Sequence, residues 1–96
     1  GYATLTYKML TELGVDCRYI SGTSDEGPHA WNIARIGDVW YNLDNTWDAS
    51  YTRGPFLSYK HFLKSNNDFT NHIRSDEFNT SSFNSEYPMS QTSYTK

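Results

Sequence analysis

The sequence holds a single cysteine, Cys17, so no disulfide can form within it, and cysteine usage leaves the redox compartment open. Basic residues are scarce. Eight Lys and Arg stand against eleven Asp and Glu, for a net charge of −3, and they form no run. That balance excludes the usual nucleic-acid partner. No apolar stretch approaches the roughly 18 residues of a membrane-crossing helix, so no membrane span is expected. Metal-ligand spacing is also missing: His29, His61 and His72 lack a Cys or His partner at a recognised interval. No metal and no cofactor is therefore expected. There is no internal repeat and no heptad.

What is present is aromatic. Phe, Trp and Tyr make up 17% of the 96 residues, enough for one small domain with an aromatic core. Residues 2–13 place Tyr2, Leu5, Met9 and Leu13 at helical spacing, with Tyr7 and Leu10 alongside. The pattern predicts a helix with that face on a sheet, ended by Gly14 in the left-handed C′ position. Residues 15–21 alternate like a strand, with Cys17 sharing the parity of Val15 and Tyr19. Residues 22–28 read as a loop punctuated by Gly and Pro, with Asp25 and Glu26 at a solvated tip.

Two apolar runs follow, 29–36 and 39–44, joined at Gly37-Asp38. Gly at the first position of a two-residue turn supplies φ > 0, so the pair predicts an antiparallel hairpin. Its register sets Ile36 opposite Val39, Arg35 opposite Trp40 and Trp31 opposite Asp44. Side chains alternate along a strand, so His29, two residues from Trp31, shares a face with Asp44 as its diagonal neighbour. An imidazole beside a carboxylate is held in one orientation. That gives two members of a Cys-His-Asp arrangement. The hairpin faces, Ala30-Asn32-Ala34-Ile36 and His29-Trp31-Ile33-Arg35, both look partly covered, which predicts a hairpin interior to a sheet.

After Asp48 the signals weaken. Arg53-Gly54-Pro55 reads as a turn, and Leu57 to Leu63 as a short helix with Ser58 as N-cap. From Asn66 to Lys96 about half the residues are Ser, Thr or Asn. Such a segment lacks the apolar density for a core of its own. The expected division is a core over 1–64 and a Ser/Thr/Asn-rich extension over 65–96, its spaced aromatics packing on the core or trailing from it. Asn79-Thr80-Ser81 fits a weak glycosylation pattern.

In order, Gly1-Tyr2-Ala3, Leu13-Gly14-Val15, Ser21-Gly22, His29-Ala30-Trp31-Asn32, Trp40-Tyr41 and Asp44-Asn45-Thr46-Trp47-Asp48 resemble the transglutaminase-like superfamily, particularly its bacterial branch. The likeness covers the first half of the chain; Phe62-Leu63 followed by His72 extends it with little specificity. The resemblance implies an α+β fold with a papain-like core, its N-terminal helix packed on an antiparallel sheet. It places the family's catalytic His on His29 and catalytic Asp on Asp44. The family's nucleophilic Cys falls one or two positions before Gly1. A helix N-terminus stabilises a thiolate, and a helix starting near Gly1 is expected to present one to the His29 face of the hairpin. The chain, opening at Gly in a helical pattern, reads as a piece of a larger domain, inactive alone.

The implied chemistry is acyl transfer on amide bonds: protein-glutamine crosslinking, deamidation or peptide hydrolysis, with a protein or peptide substrate. The alternative is a non-catalytic module of the same family that binds protein or cell-wall glycan. A secreted or cell-surface location fits the bacterial look of the motifs and the polar tail.

Each candidate has a plainer reading. His29 suits a half-buried histidine bonded to backbone, and Asp44 a turn cap; their shared face favours the catalytic type. Asp48 is the competing carboxylate, beyond the paired region. Trp31, Trp40 and Trp47 read as packing residues. Cys17, mid-strand among apolar neighbours, reads as a small buried hydrophobe and not as the nucleophile. Arg35 reads as an exposed strand charge.

Overall fold

A computed structural model describes residues 2–25, 27–44, 47–48, 56–57 and 63–94. Helix α1 spans Tyr2–Glu12, followed by strands β1 (Cys17–Ser24), β2 (Gly27–Ile36) and β3 (Val39–Leu43). Two short strands, β4 (Trp47–Asp48) and β5 (Phe56–Leu57), pair with each other. Strand β6 (His72–Arg74), a 3-10 turn (Asp76–Phe78) and helix α2 (Ser81–Glu86) complete the described chain. The four longer-range strands form one antiparallel sheet in the order β3-β2-β1-β6. The architecture is α+β. Among the described residues no helix is long and apolar enough to cross a membrane.

Gly14 ends α1 with φ of +83°, the left-handed conformation that its place after the helix requires. The face that α1 turns to the sheet differs from the expected one. Ala3 and Thr6 are buried and Leu10 is half-buried, whereas Leu5, Met9 and Leu13 are 54%, 54% and 74% exposed. The sheet surface beneath explains this. β1 and β2 present Cys17, Ala34 and Asn32 there, all buried, and the Asn32 amide donates to the Ala3 carbonyl at 3.0 Å. Backbone contact of that kind needs small helix residues at the interface, so the bulkier stripe is turned outward.

The hairpin follows the expected register. Gly37 has φ of +69°, and Ile36 pairs with Val39, Arg35 with Trp40 and Asn32 with Leu43. Continuing that ladder by one step sets Trp31 against Asp44. β2 is interior, but β3 is the last strand, and its outer edge is met by irregular chain. Asn42 and Lys64 exchange backbone hydrogen bonds of 2.7 and 2.8 Å, and Trp40 exchanges bonds with Pro88 and Ser90.

The expected loop over 22–28 is replaced by strand. β1 runs to Ser24 and β2 begins at Gly27, so the connection shrinks to two residues. Gly22 serves a close approach and not a turn. It pairs with both His29 and Arg74, and a Cβ there would lie 2.0 Å from the Ile73 carbonyl oxygen. The expected turn at 53–55 lies outside the described residues. So does most of the expected helix: Leu57 belongs to β5, and 58–62 are not described.

Side-chain alternation divides the sheet into two faces. α1 covers the face of Cys17, Asn32 and Ala34. The other carries Ile20, Trp31, Ile33 and Trp40, which with Phe69 form the buried core. Phe78, Phe83, Tyr87 and Met89 pack against that cluster, so residues of the polar 65–94 segment cover the second face. The same segment supplies β6. It is part of the sheet and core of this unit, and it spends its few aromatics there. Thr80 starts α2, its hydroxyl accepting from the Phe83 amide at 3.1 Å.

Candidate functional site

His29 lies near the start of β2 and Asp44 immediately after β3. The hairpin register brings them together: His29 Nε2 is 2.8 Å from Asp44 Oδ2. The Asp44 side chain is 7% exposed and that of His29 33%. The carboxylate is therefore mostly withdrawn from water, while the imidazole keeps a solvent-facing side. A carboxylate accepts only, so the pair in its ionised form fixes the proton of His29 on Nε2 and leaves Nδ1 as the basic atom.

A third side chain joins them. His72, the first residue of β6, places its Nε2 2.9 Å from the same Asp44 Oδ2. The Thr70 carbonyl lies 2.7 Å from His72 Nδ1, and a carbonyl oxygen only accepts, so Nδ1 carries a proton. Packing holds the ring as well. Phe69 stacks on it at 3.8 Å between centroids, and Trp31 meets it edge-on at 5.0 Å. Asn71 precedes it with φ of +64°, a left-handed conformation that Asn tolerates and that turns the chain into β6. The sheet order separates β6 from β2 by β1. On the face shared by the two histidines, β1 sets Gly22, which has no side chain, beside His29 and Ser24 beside His72.

Sequence spacing left His72 without a partner; in three dimensions it has one. The ligand-type atoms of His29, Asp44 and His72 all lie within 4.8 Å of one another, a grouping that suits a metal ion as well as a hydrogen-bonded triad. The missed signals were Phe69 and Asn71: an aromatic to stack on the ring, and a left-handed-tolerant residue just before it.

The chain matches no known family model, no curated protein and no solved structure.

Cys17 stands apart from the site. It pairs with Ala34, five residues along β2 from His29, or roughly 17 Å at 3.3 Å per residue. It also faces α1, on the opposite side of the sheet. Burial pushes its thiol up to about 11, the reverse of nucleophile activation. Arg35 forms an exposed ion pair with Asp16. Trp31 and Trp40 are buried, as packing residues are. The side chains of Trp47 and Asp48 lie outside the described residues, as does His61.

Beside His72 is an open cavity of about 400 Å³. Its lining includes Trp31, Asn42 and Arg74, and each has one buried polar atom without a partner among the described residues: Trp31 Nε1, Asn42 Oδ1 and Arg74 Nη2. Burial lowers the pKa of Arg74, whose other amino group donates to the Phe78 carbonyl at 3.1 Å.

Proposed function

We propose that this chain forms the His-Asp part of a transglutaminase-like cysteine enzyme with a papain-like core, acting on amide bonds by acyl transfer. The observation that carries the reading is the 2.8 Å contact from His29 Nε2 to the buried Asp44 carboxylate, on residues where the sequence motifs expect a catalytic His and Asp. Asp44 orients the ring, and Nδ1 of His29 handles the proton. A thiolate from a residue preceding Gly1 attacks the amide carbonyl, forming a C–S bond. The C–N bond then breaks as His29 Nδ1–H protonates the leaving amine. Water, or an amine, resolves the thioester and returns the proton to His29.

The direction of α1 supports this supply of a nucleophile. Asn32 bonds the Ala3 carbonyl, while at the other end of the helix the Asp16 carbonyl accepts from the Arg35 amide at 2.9 Å. The amino end of α1 therefore points toward the start of β2, where His29 lies. Because α1 covers the opposite face of the sheet, such a thiolate meets His29 around the end of β2 and not over the face of the hairpin. The test is a chain extended upstream to include a Cys before Gly1. Amidase or amine-incorporation activity is expected in it and is lost in His29→Ala. An extended chain that carries the Cys, folds, and turns over no amide in either assay overturns the reading.

A second reading, a binding module for cell-wall glycan, is favoured by the cavity. Its orphan atoms include two donors and an acceptor. Sugar hydroxyls both donate and accept, so they suit such a lining. Soluble peptidoglycan fragments should then shift the Trp31 indole N–H resonance; an unmoved spectrum at millimolar fragment removes this reading.

A further inference from the structure

We propose that His29, Asp44 and His72 form a site for a zinc-class divalent ion, bound through His29 Nε2, Asp44 Oδ2 and His72 Nε2. The inference goes beyond acyl transfer and does not depend on it.

The first support is convergence: three ligand atoms from three different strands or strand ends lie within 4.8 Å. The second is the protonation pattern. His72 Nδ1–H is committed to the Thr70 carbonyl, so a neutral ring directs the Nε2 lone pair at the Asp44 carboxylate. Two acceptors facing at 2.9 Å require a positive species between them, either a proton or a metal ion. A backbone carbonyl on the far nitrogen is also the usual outer partner of a metal-bound histidine, since it fixes the tautomer and raises ligand basicity.

The dimensions agree. Two imidazoles bound through Nε2 to one tetrahedral zinc, with bonds of about 2.0–2.1 Å, set their ring centroids roughly 5 Å apart. Those of His29 and His72 are 5.8 Å apart. Ligand atoms around such an ion are about 3.3 Å from one another, so admitting it opens the 2.8 and 2.9 Å contacts by roughly half an ångström. The side chains of Asp44 and His72 are 7% and 6% exposed, and that of His29 is 33% exposed. The ion would sit in a mostly dry pocket with one side open for entry and for a water ligand. Two imidazoles and one carboxylate select zinc or cobalt over calcium and magnesium, which prefer oxygen alone.

Bound metal takes His29 Nε2 and Asp44 Oδ2 out of the dyad, so in the extended enzyme zinc would be an inhibitor. The deciding experiment reads binding, not turnover, and so stands whether or not the acyl-transfer reading holds. The full chain is titrated near neutral pH with Zn²⁺ and with Co²⁺. One equivalent of Zn²⁺ should bind and raise the melting temperature, and Co²⁺ should develop visible bands of low coordination number. In long-range ¹H–¹⁵N spectra of the wild-type chain, the Nε2 signals of His29 and His72 should move together. His72→Gln should weaken Zn²⁺ binding at least tenfold. Absence of binding at about 100 µM Zn²⁺, movement of only one of the two rings, or affinity unaltered in a folded His72→Gln chain overturns the proposal. The wild-type spectra decide the matter if His72→Gln does not fold.

Discussion

The Nδ1 of His72 lies 2.7 Å from the carbonyl oxygen of Thr70, two residues before it. This short local contact sets the orientation of a ring whose other nitrogen reaches Asp44, 28 residues away in sequence. Removing the ring leaves a 7% exposed carboxylate with one partner fewer. Unpairing a buried charged group costs about 2–4 kcal/mol. His72→Phe keeps an aromatic ring to stack on Phe69 but has no nitrogen, so a loss of that size is expected in urea unfolding. Adding Asp44→Asn should recover part of it, because the amide is neutral. A double variant whose loss equals the sum of the two single losses would show that the pair is not coupled.

Gly22 offers a test of how β6 is seated. A methyl group there would have to displace the Ile73 backbone, since its ideal position is 2.0 Å from the Ile73 oxygen. Gly22→Ala is expected to destabilise the fold by more than about 2 kcal/mol, the range of overpacking at a rigid contact. It should also break the His72–Asp44 contact while leaving the Gly37 turn intact. Amide shifts confined to β1 and β6, with β3 unmoved, would show this.

Cys17 gives a pH dependence of definite sign. Its folded pKa, about 11, lies above that of an unfolded thiol, near 8.5. Below the unfolded value both states hold the proton and stability is unaffected. As pH rises past it, the unfolded chain loses its proton first, so stability falls, by at most about 1.4 kcal/mol per unit, until the folded thiol ionises. Wild type should therefore lose more stability than Cys17→Ala between roughly pH 8.5 and 11. In the native state, iodoacetamide should modify Cys17 slowly, and rapidly only after denaturation. Fast native labelling that disappears in His29→Ala would make Cys17 the nucleophile.

The outward stripe of α1 makes a fourth prediction. Leu5→Lys and Met9→Lys, at positions 54% exposed, should change unfolding free energy by no more than about 0.5 kcal/mol. Thr6→Lys, at a position 6% exposed against the sheet, should cost several times as much. The reverse order would restore the face that apolar spacing favours.

That α1 face shows where sequence reasoning fails. Periodicity found the helix and Gly14 found its end, but the rule that apolar residues turn inward chose the wrong side. Beneath α1 the sheet presents Cys17, Asn32 and Ala34, and the Asn32 amide reaches the Ala3 backbone, so the small residues Ala3 and Thr6 are the ones buried there. The hairpin was legible because Gly37 fixes a turn and a period of two fixes the rest, so the His29–Asp44 contact follows from local rules. β6 was not legible. Three residues carry no periodic signal, and its pairing with β1 is dictated by core packing of Phe69 and by the bare backbone at Gly22.

The separation of these contacts along the chain has a kinetic consequence. His29 and Asp44 are 15 residues apart and meet as soon as one hairpin closes. His72 must wait for β6 to find β1, a non-local pairing of the kind that forms slowly because the loop must be closed before any contact rewards it. A nascent or partly folded chain can therefore own the dyad without its third member. The completed cluster reports the last stage of assembly, and any competence that depends on His72 is withheld until the polar C-terminal segment has docked.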